Sequence, residues 1–383
     1  MLRVKQNSTD YKKNHIGSVE LKSLTGLRGV AAIYVVLYHI TFLDYFNKNR
    51  IMSNFICHGY MAVGLFFILS GFVMAMTHGT DFSSGFDKRK YGIFLLRRLG
   101  RIYPLYFTAT TICAIIGFWH LTYQTPQTWS HLFTNYALVQ TWGFSESIDP
   151  PGWSISTEFF AYLLFPSLVT IFIAREAWLA ISGTTIAIVF LVFVASRSGA
   201  DFNETGIRPG PLAVWVGTTV YPLLTCIATF SIGLTVWRAW QTPFINRIAS
   251  NRWVGLLISA ISLILLSSLI SDVLTTVAIA LLILTLATEK SFPAQLLASR
   301  PIRFLGNISY SIYLVHWPVM DALQEPLREI VDRGRTGLLA PSTIIITILV
   351  FLTATLTFRI IERPARTFFR NRLVHNSPAL VTL

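Results

Sequence analysis

Long apolar runs alternate with short polar ones along the whole chain. Ten of these runs come near the roughly 20 residues needed to cross the hydrocarbon of a bilayer: 26–44, 59–77, 101–119, 152–174, 178–196, 213–237, 253–270, 272–288, 304–320 and 342–361. They predict an all-α polytopic membrane bundle of about ten helices. The seventh and eighth runs are parted only by Ser271–Asp272, which makes either a tight hairpin or one interrupted segment. Residues 1–22 are polar and form a tail, with no cleavable signal peptide expected before the first span. Residues 23–367 form one membrane domain, and 368–383 a second tail.

Composition removes the other classes. Of 383 residues, 53% are hydrophobic and 13% charged, against about a quarter charged in a soluble globule. Too little polar material remains to coat a water-facing surface, which excludes soluble, disordered and fibrous proteins. Cys57, Cys113 and Cys226 form no CxxC pair, so no structural metal site or disulfide framework is expected. A net charge of +13 would suit nucleic acid only on the basic face of a soluble domain. Its distribution is topological instead, because loops kept in the cytoplasm are enriched in Lys and Arg. With the N-terminus inside, 24 of the 31 basic residues fall on the cytoplasmic side, among them Lys12, Lys13, Arg97, Arg98, Arg101 and Arg366. Lys48, Arg50, Arg197, Arg208, Arg328, Arg333 and Arg335 fall outside. Both tails are then cytoplasmic, and loops 119–150 and 321–341 face out.

Ionisable groups inside a span cost a few kcal/mol and default to functional candidates. Arg28 stands at the cytoplasmic mouth of the first span and His39 lies 11 residues deeper. At 100° per residue they project within about 20° of each other and about 16 Å apart, a cation and an imidazole facing one cavity. A snorkelling arginine and a hydrogen-bonded packing histidine are the structural alternative. Arg98 and Arg101 are neighbours on one face if a helix has begun there, and forked guanidinium groups suit phosphate; a stop-transfer cluster is the alternative. Pro150-Pro-Gly-Trp-Ser-Ile-Ser-Thr-Glu158 opens the fourth span, with Ser154 as a cap and Glu158 inside the bilayer. In the ninth span His316 lies past the midplane and Tyr313 one turn below it. Glu158 near either histidine would polarise it into a general base. Ser70 and Gly71 suit close helix packing, and no GxSxG elbow surrounds Ser70. His58, His120 and His131 lack metal-ligand spacing, and Glu362-Arg-Pro-Ala-Arg366 is expected to be a surface anchor.

These segments together resemble one family. Arg28-x10-His39, Phe66-Phe-Ile-Leu-Ser-Gly-Phe72, Arg98-x-x-Arg101-x-x-Pro104, Trp153-Ser-x-Ser-x-Glu158, Ser309-Tyr-Ser-x-Tyr-Leu-x-His316-Trp-Pro and Glu362-Arg-Pro occur in the order and spacing of the integral membrane acyltransferase 3 family, over about residues 22–367. The resemblance implies a ten-span enzyme of the bacterial cytoplasmic membrane that moves an acyl group, most often acetyl, from cytoplasmic acyl-CoA to hydroxyls of a surface or exported polysaccharide or glycolipid. It implies no tightly bound cofactor, no metal and no nucleic-acid partner, with polysaccharide-assembly proteins as expected associates. Phe159 stands where many members carry a second acidic residue, leaving Glu158 alone. Some members append an SGNH hydrolase-like domain; this chain ends about twenty residues past its last span, so transfer is expected to be completed by the membrane domain or by a separate protein.

Implied roles follow. Arg28, Arg98 and Arg101 hold the nucleotide end of CoA, while His39 acts as general base or transient acyl carrier. Glu158 and His316 orient or protonate His39, and Ser70, Ser156 and Tyr313 support the site. A secondary transporter is the alternative, since buried charges also mark substrate and proton paths. No inverted repeat or matched pair of Gly/Pro-broken spans is visible in the sequence to favour it.

Overall fold

The computed structural model describes residues 20–40, 50–120, 128–197, 210–214, 218–268, 270–323 and 339–375. Helices dominate and no strand occurs among the described residues. Residues 1–19 and 376–383 of the expected tails, residues 41–44, 215–217 and 269 of the first, sixth and seventh expected spans, and parts of both long loops lie outside them. So do Lys12, Lys13, Lys48, Arg208, Arg328, Arg333 and Arg335.

The chain begins with α1 (Lys22–Ile40) and a short α2 (Arg50–Cys57), which passes through one tight turn into α3 (Met61–Phe82). Helix α4 (Lys88–His120) starts well before the apolar run expected at 101. Asp87 caps it, accepting from the backbone N–H groups of Arg89 at 2.8 Å and Lys90 at 3.1 Å. Arg98, Arg101 and Pro104 are therefore all inside a helix. The 119–150 loop holds α5 (Trp129–Tyr136), and α6 (Gly152–Val169) ends in a π-helical turn to Ala174. Helices α7 (Ala177–Arg197), α8 (Tyr221–Gln241), α9 (Pro243–Ala249), α10 (Arg252–Leu266) and α11 (Asp272–Leu286) follow. The last are α12 (Phe292–Leu297), α13 (Arg300–Asn307), α14 (Ser309–Ala322), α15 (Leu339–Thr357) and, after a π-helical turn, α16 (Arg363–His375).

Among the described residues, seven helices are long and apolar enough to cross a membrane: α1, the α2–α3 unit, α4, α6, α7, α8 and the α15–α16 unit. Helices α9 and α10, bent by 72° at their break, make an eighth if taken together. The expected eighth and ninth spans fall on shorter helices, α11 and α14, of 15 and 14 residues. Ser271 caps α11 by accepting from Leu274 N–H at 3.3 Å, and α11 packs back on α10, so the Ser271–Asp272 stretch is a hairpin turn. The ninth run is a helix broken at Ile308, between α13 and α14.

Two glycine-mediated crossings set the bundle. Helix α1 lies on α13 with Gly29 against the Gly306 backbone and Gly306 against the Thr25 carbonyl, where no Cβ fits. Helix α3 lies on α8 in the same way through Gly71 and Gly233. Small residues at such contacts let backbones approach and gain van der Waals packing where lipid offers no hydrophobic drive. The crossings fix the two faces that matter: Arg28 and His39 on α1, and Ser70 on α3.

Candidate functional site

A cavity opens among α1, α3, α4, α6 and α14. Its lining includes Arg28, Arg98 and Arg101, together with Ser70, Glu158 and Tyr313. Glu158 is the one carboxylate among its described lining residues, so three guanidinium groups face a single acid. That acid is already engaged, since Ser70 Oγ donates to Glu158 Oε1 at 2.5 Å. Arg98 donates through Nη2 to His78 Nε2 at 3.0 Å, and its Nε is buried without a partner. Ser309 Oγ, also on the lining, is buried and unpartnered as well. Buried polar atoms left unpaired cost free energy, and an anionic, hydrogen-bonding ligand would satisfy both. The cavity's excess of positive charge selects the sign of that ligand.

Helix periodicity divides the Ser-x-Ser-x-Glu segment. Ser154 and Glu158, four residues apart, share one face of α6, while Ser156 points about 200° away from Ser154. Ser154 therefore does not cap the helix, which begins at Gly152; its Oγ meets Tyr313 Oη at 2.8 Å. Ser156 lies off the cavity. Its Oγ donates to the Leu138 carbonyl at 3.0 Å and accepts from Thr141 N–H at 3.3 Å, pinning the 138–142 turn to the start of α6.

His39 and His316 meet each other. Helix α14 packs on α1, and His316 Nε2 stands 3.2 Å from His39 Nδ1. The His316 Nδ1–H donates to the Tyr313 carbonyl at 2.6 Å, so its Nε2 is the free acceptor. His39 Nδ1 then carries the proton, shared between His316 Nε2 and the Val35 carbonyl at 3.0 Å. The network thereby assigns the tautomer and leaves His39 Nε2 as an unprotonated lone pair. The expectation that Arg28 and His39 face one cavity is corrected: Arg28 lines it and His39 does not. The imidazole turns to a hydrogen-bonding partner on α14, and Trp317 packs edge-on against it with ring centroids 5.5 Å apart. Nor is Glu158 hydrogen-bonded to either histidine among the described residues; its Oε1 accepts from Ser70 instead. Tyr313 links the regions: it lines the cavity, and its ring centroid is 6.1 Å from that of His316.

Glu362 is misplaced by the sequence pattern. Rather than anchoring at a surface, it is 1% exposed, accepts from Ser311 Oγ at 2.5 Å and pairs with Arg366. His78, with Asp81, was equally invisible; its spacing of 20 residues from Arg98 has no local signature. His58 is buried beside Asp272, which accepts from Tyr60 Oη and Leu212 N–H. No cluster of three metal-ligating side chains occurs among the described residues.

A family model described as an acyltransferase domain matches residues 21–361. The chain belongs to the acyltransferase 3 family. Acyltransferase MdmB of Streptomyces mycarofaciens is 31% identical over 325 residues, covering 79% of each chain. Peptidoglycan O-acetyltransferase OatA of Listeria monocytogenes is 23% identical over 94% of this chain, and O-acetyltransferase OatA of Staphylococcus aureus 23% over 78%. The alignments span only 57% and 50% of those two relatives. No solved structure matches. An acyltransferase membrane domain thus accounts for most of the chain, and its multi-pass helical build agrees with that family.

Proposed function

We propose that this protein is a membrane-embedded O-acyltransferase that transfers an acetyl group from cytoplasmic acyl-CoA to a hydroxyl of a surface or exported polysaccharide or glycolipid. The observation that carries the reading is the cavity of Arg28, Arg98 and Arg101, cationic and holding unpaired buried donors, beside a neutral histidine pair with one free basic nitrogen. The arginines would take the phosphates of CoA, for which planar forked donors are suited. The pantetheine arm would run past Tyr313 toward His39. The acceptor hydroxyl gives its proton to His39 Nε2 as its oxygen attacks the thioester carbon; the C–S bond breaks and the proton passes to the leaving thiolate, releasing CoA thiol. His316 holds the His39 tautomer through this exchange, and Glu158, bound to Ser70, balances the arginines.

The same reading gives ten spans in the bacterial cytoplasmic membrane, with tails at 1–22 and 368–383 on the cytoplasmic side of the 23–367 domain. Helices α10, α11 and α14 would complete the count beyond the seven long ones. O-acetyltransferase names among the relatives support acetyl as the group moved. Proteoliposomes supplied with radiolabelled acetyl-CoA and a carbohydrate acceptor test the proposal. Label should become covalently attached to the acceptor. Label that crosses the membrane without covalent transfer would instead identify a transporter.

A further inference from the structure

Arg98 is the one cavity arginine held by another side chain among the described residues. A guanidinium only donates, so His78 Nε2, 3.0 Å from Arg98 Nη2, must carry a lone pair and the ring proton must sit on Nδ1. That nitrogen donates to Asp81 Oδ2 at 3.1 Å. Asp81, His78 and Arg98 form one directed chain from α3 to α4, in which the carboxylate fixes the tautomer and the imidazole fixes the guanidinium. Phe94 closes the flank, its ring centroid 5.2 Å from that of His78 and 5.8 Å from the Arg98 guanidinium carbon. His78 is buried and Asp81 about half-exposed, so the chain runs from the rim inward.

We propose that His78 and Asp81 are a positioning pair that aims Arg98 at the anionic end of the acyl donor. The inference rests on the donor reading of the cavity. A long arginine loses rotamer freedom when it docks a ligand, and one already oriented loses less, which strengthens binding without any new contact. His78 does not line the cavity and acts only through Arg98. Its effect therefore belongs in donor affinity, not in the chemical step.

The test is an acetyl-CoA titration of transfer by the whole chain in proteoliposomes, at matched abundance. His78→Leu removes the acceptor of Arg98, while His78→Gln keeps it, since the amide oxygen can accept from Arg98 and the amide nitrogen donate to Asp81. His78→Leu should raise KM for acetyl-CoA about tenfold, on the order of one hydrogen bond to a charged group, with kcat within about twofold of wild type. His78→Gln should restore most of the loss, and Asp81→Ala should raise KM about threefold by freeing the tautomer. Combined with Arg98→Ala, His78→Leu should add nothing, because both act through one contact. An unchanged KM in His78→Leu, or a full effect persisting beside Arg98→Ala, overturns the pair. If His78→Leu does not accumulate, an unchanged KM in Asp81→Ala overturns it. An unchanged KM in Arg98→Ala alone overturns the donor reading, so the two failures are told apart.

Discussion

Two acceptors share the proton on His39 Nδ1, the Val35 carbonyl and His316 Nε2, and the opposite nitrogen is left basic. A side chain needed only for packing tolerates Gln or Asn, which keep hydrogen bonding and similar bulk; a base does not. His39→Gln and His39→Asn should fold, insert and bind acetyl-CoA, yet lose transfer by the roughly 10²–10⁴-fold a positioned base supplies. Radiolabel transfer at matched abundance decides it, and wild-type rates would take His39 out of the chemistry. His316→Gln should lose less than His316→Leu, since the amide oxygen can still accept from His39. An imidazole in an apolar run meets no water, so both residues were legible in the sequence. Their contact across 277 positions was not. Glu362 was hidden for a related reason: it stands in a charged segment at the end of a span, and its burial depends on Ser311 from another helix.

At the scale of elements, α6 assigns separate tasks to its two faces. Ser156→Ala leaves the buried Thr141 N–H and Leu138 carbonyl short of a partner, and should lower stability by about 1–3 kcal/mol, seen as a lower melting temperature in detergent with acetyl-CoA binding unchanged. Ser154→Ala should act on transfer instead, because Tyr313 keeps the Pro151 carbonyl at 3.2 Å. Equal melting shifts in the two variants would deny the division. Helix α4 matters through its early start: Asp87 opens it, and Arg98 and Arg101 thereby become neighbours one turn apart. Arg101→Ala should raise KM for acetyl-CoA about tenfold, the scale of a charged hydrogen bond to phosphate, with Lys rescuing only in part. An unchanged KM would return Arg101 to a topological role. The spacing was legible in the sequence once a helix was assumed. The break at Ile308 was missed although Gly306, Asn307 and Ser309 flank it, because apolar residues resume at once on both sides and the stretch reads as one run.

For the whole molecule, charge asymmetry and helix lengths bear on different questions. Mean hydropathy of +0.56 and the block pattern made a helical membrane protein legible at once. Counting spans was harder, because α11 and α14 are short and largely buried, and a helix buried among protein neighbours is not held to the thickness of lipid in the way an exposed one is, while the exposed α10 reaches span length only together with α9, across a 72° bend. Orientation rests on Lys and Arg distribution, and the cavity arginines give it a second, mechanistic weight. Arg28 lies in the second turn of α1 and Arg98 and Arg101 in the third and fourth turns of α4, so on the proposed donor reading the cavity's cationic end faces the compartment that supplies acyl-CoA. Two exposed positions at opposite ends of the bundle test this, Ser130 in the 119–150 loop and Arg372 near the end of α16. In a background lacking Cys57, Cys113 and Cys226, an impermeant maleimide should label Ser130→Cys in intact cells, and Arg372→Cys only after the membrane is opened. The reverse pattern would place the arginines outside, away from any acyl-CoA, and the donor assignment would fall together with the topology.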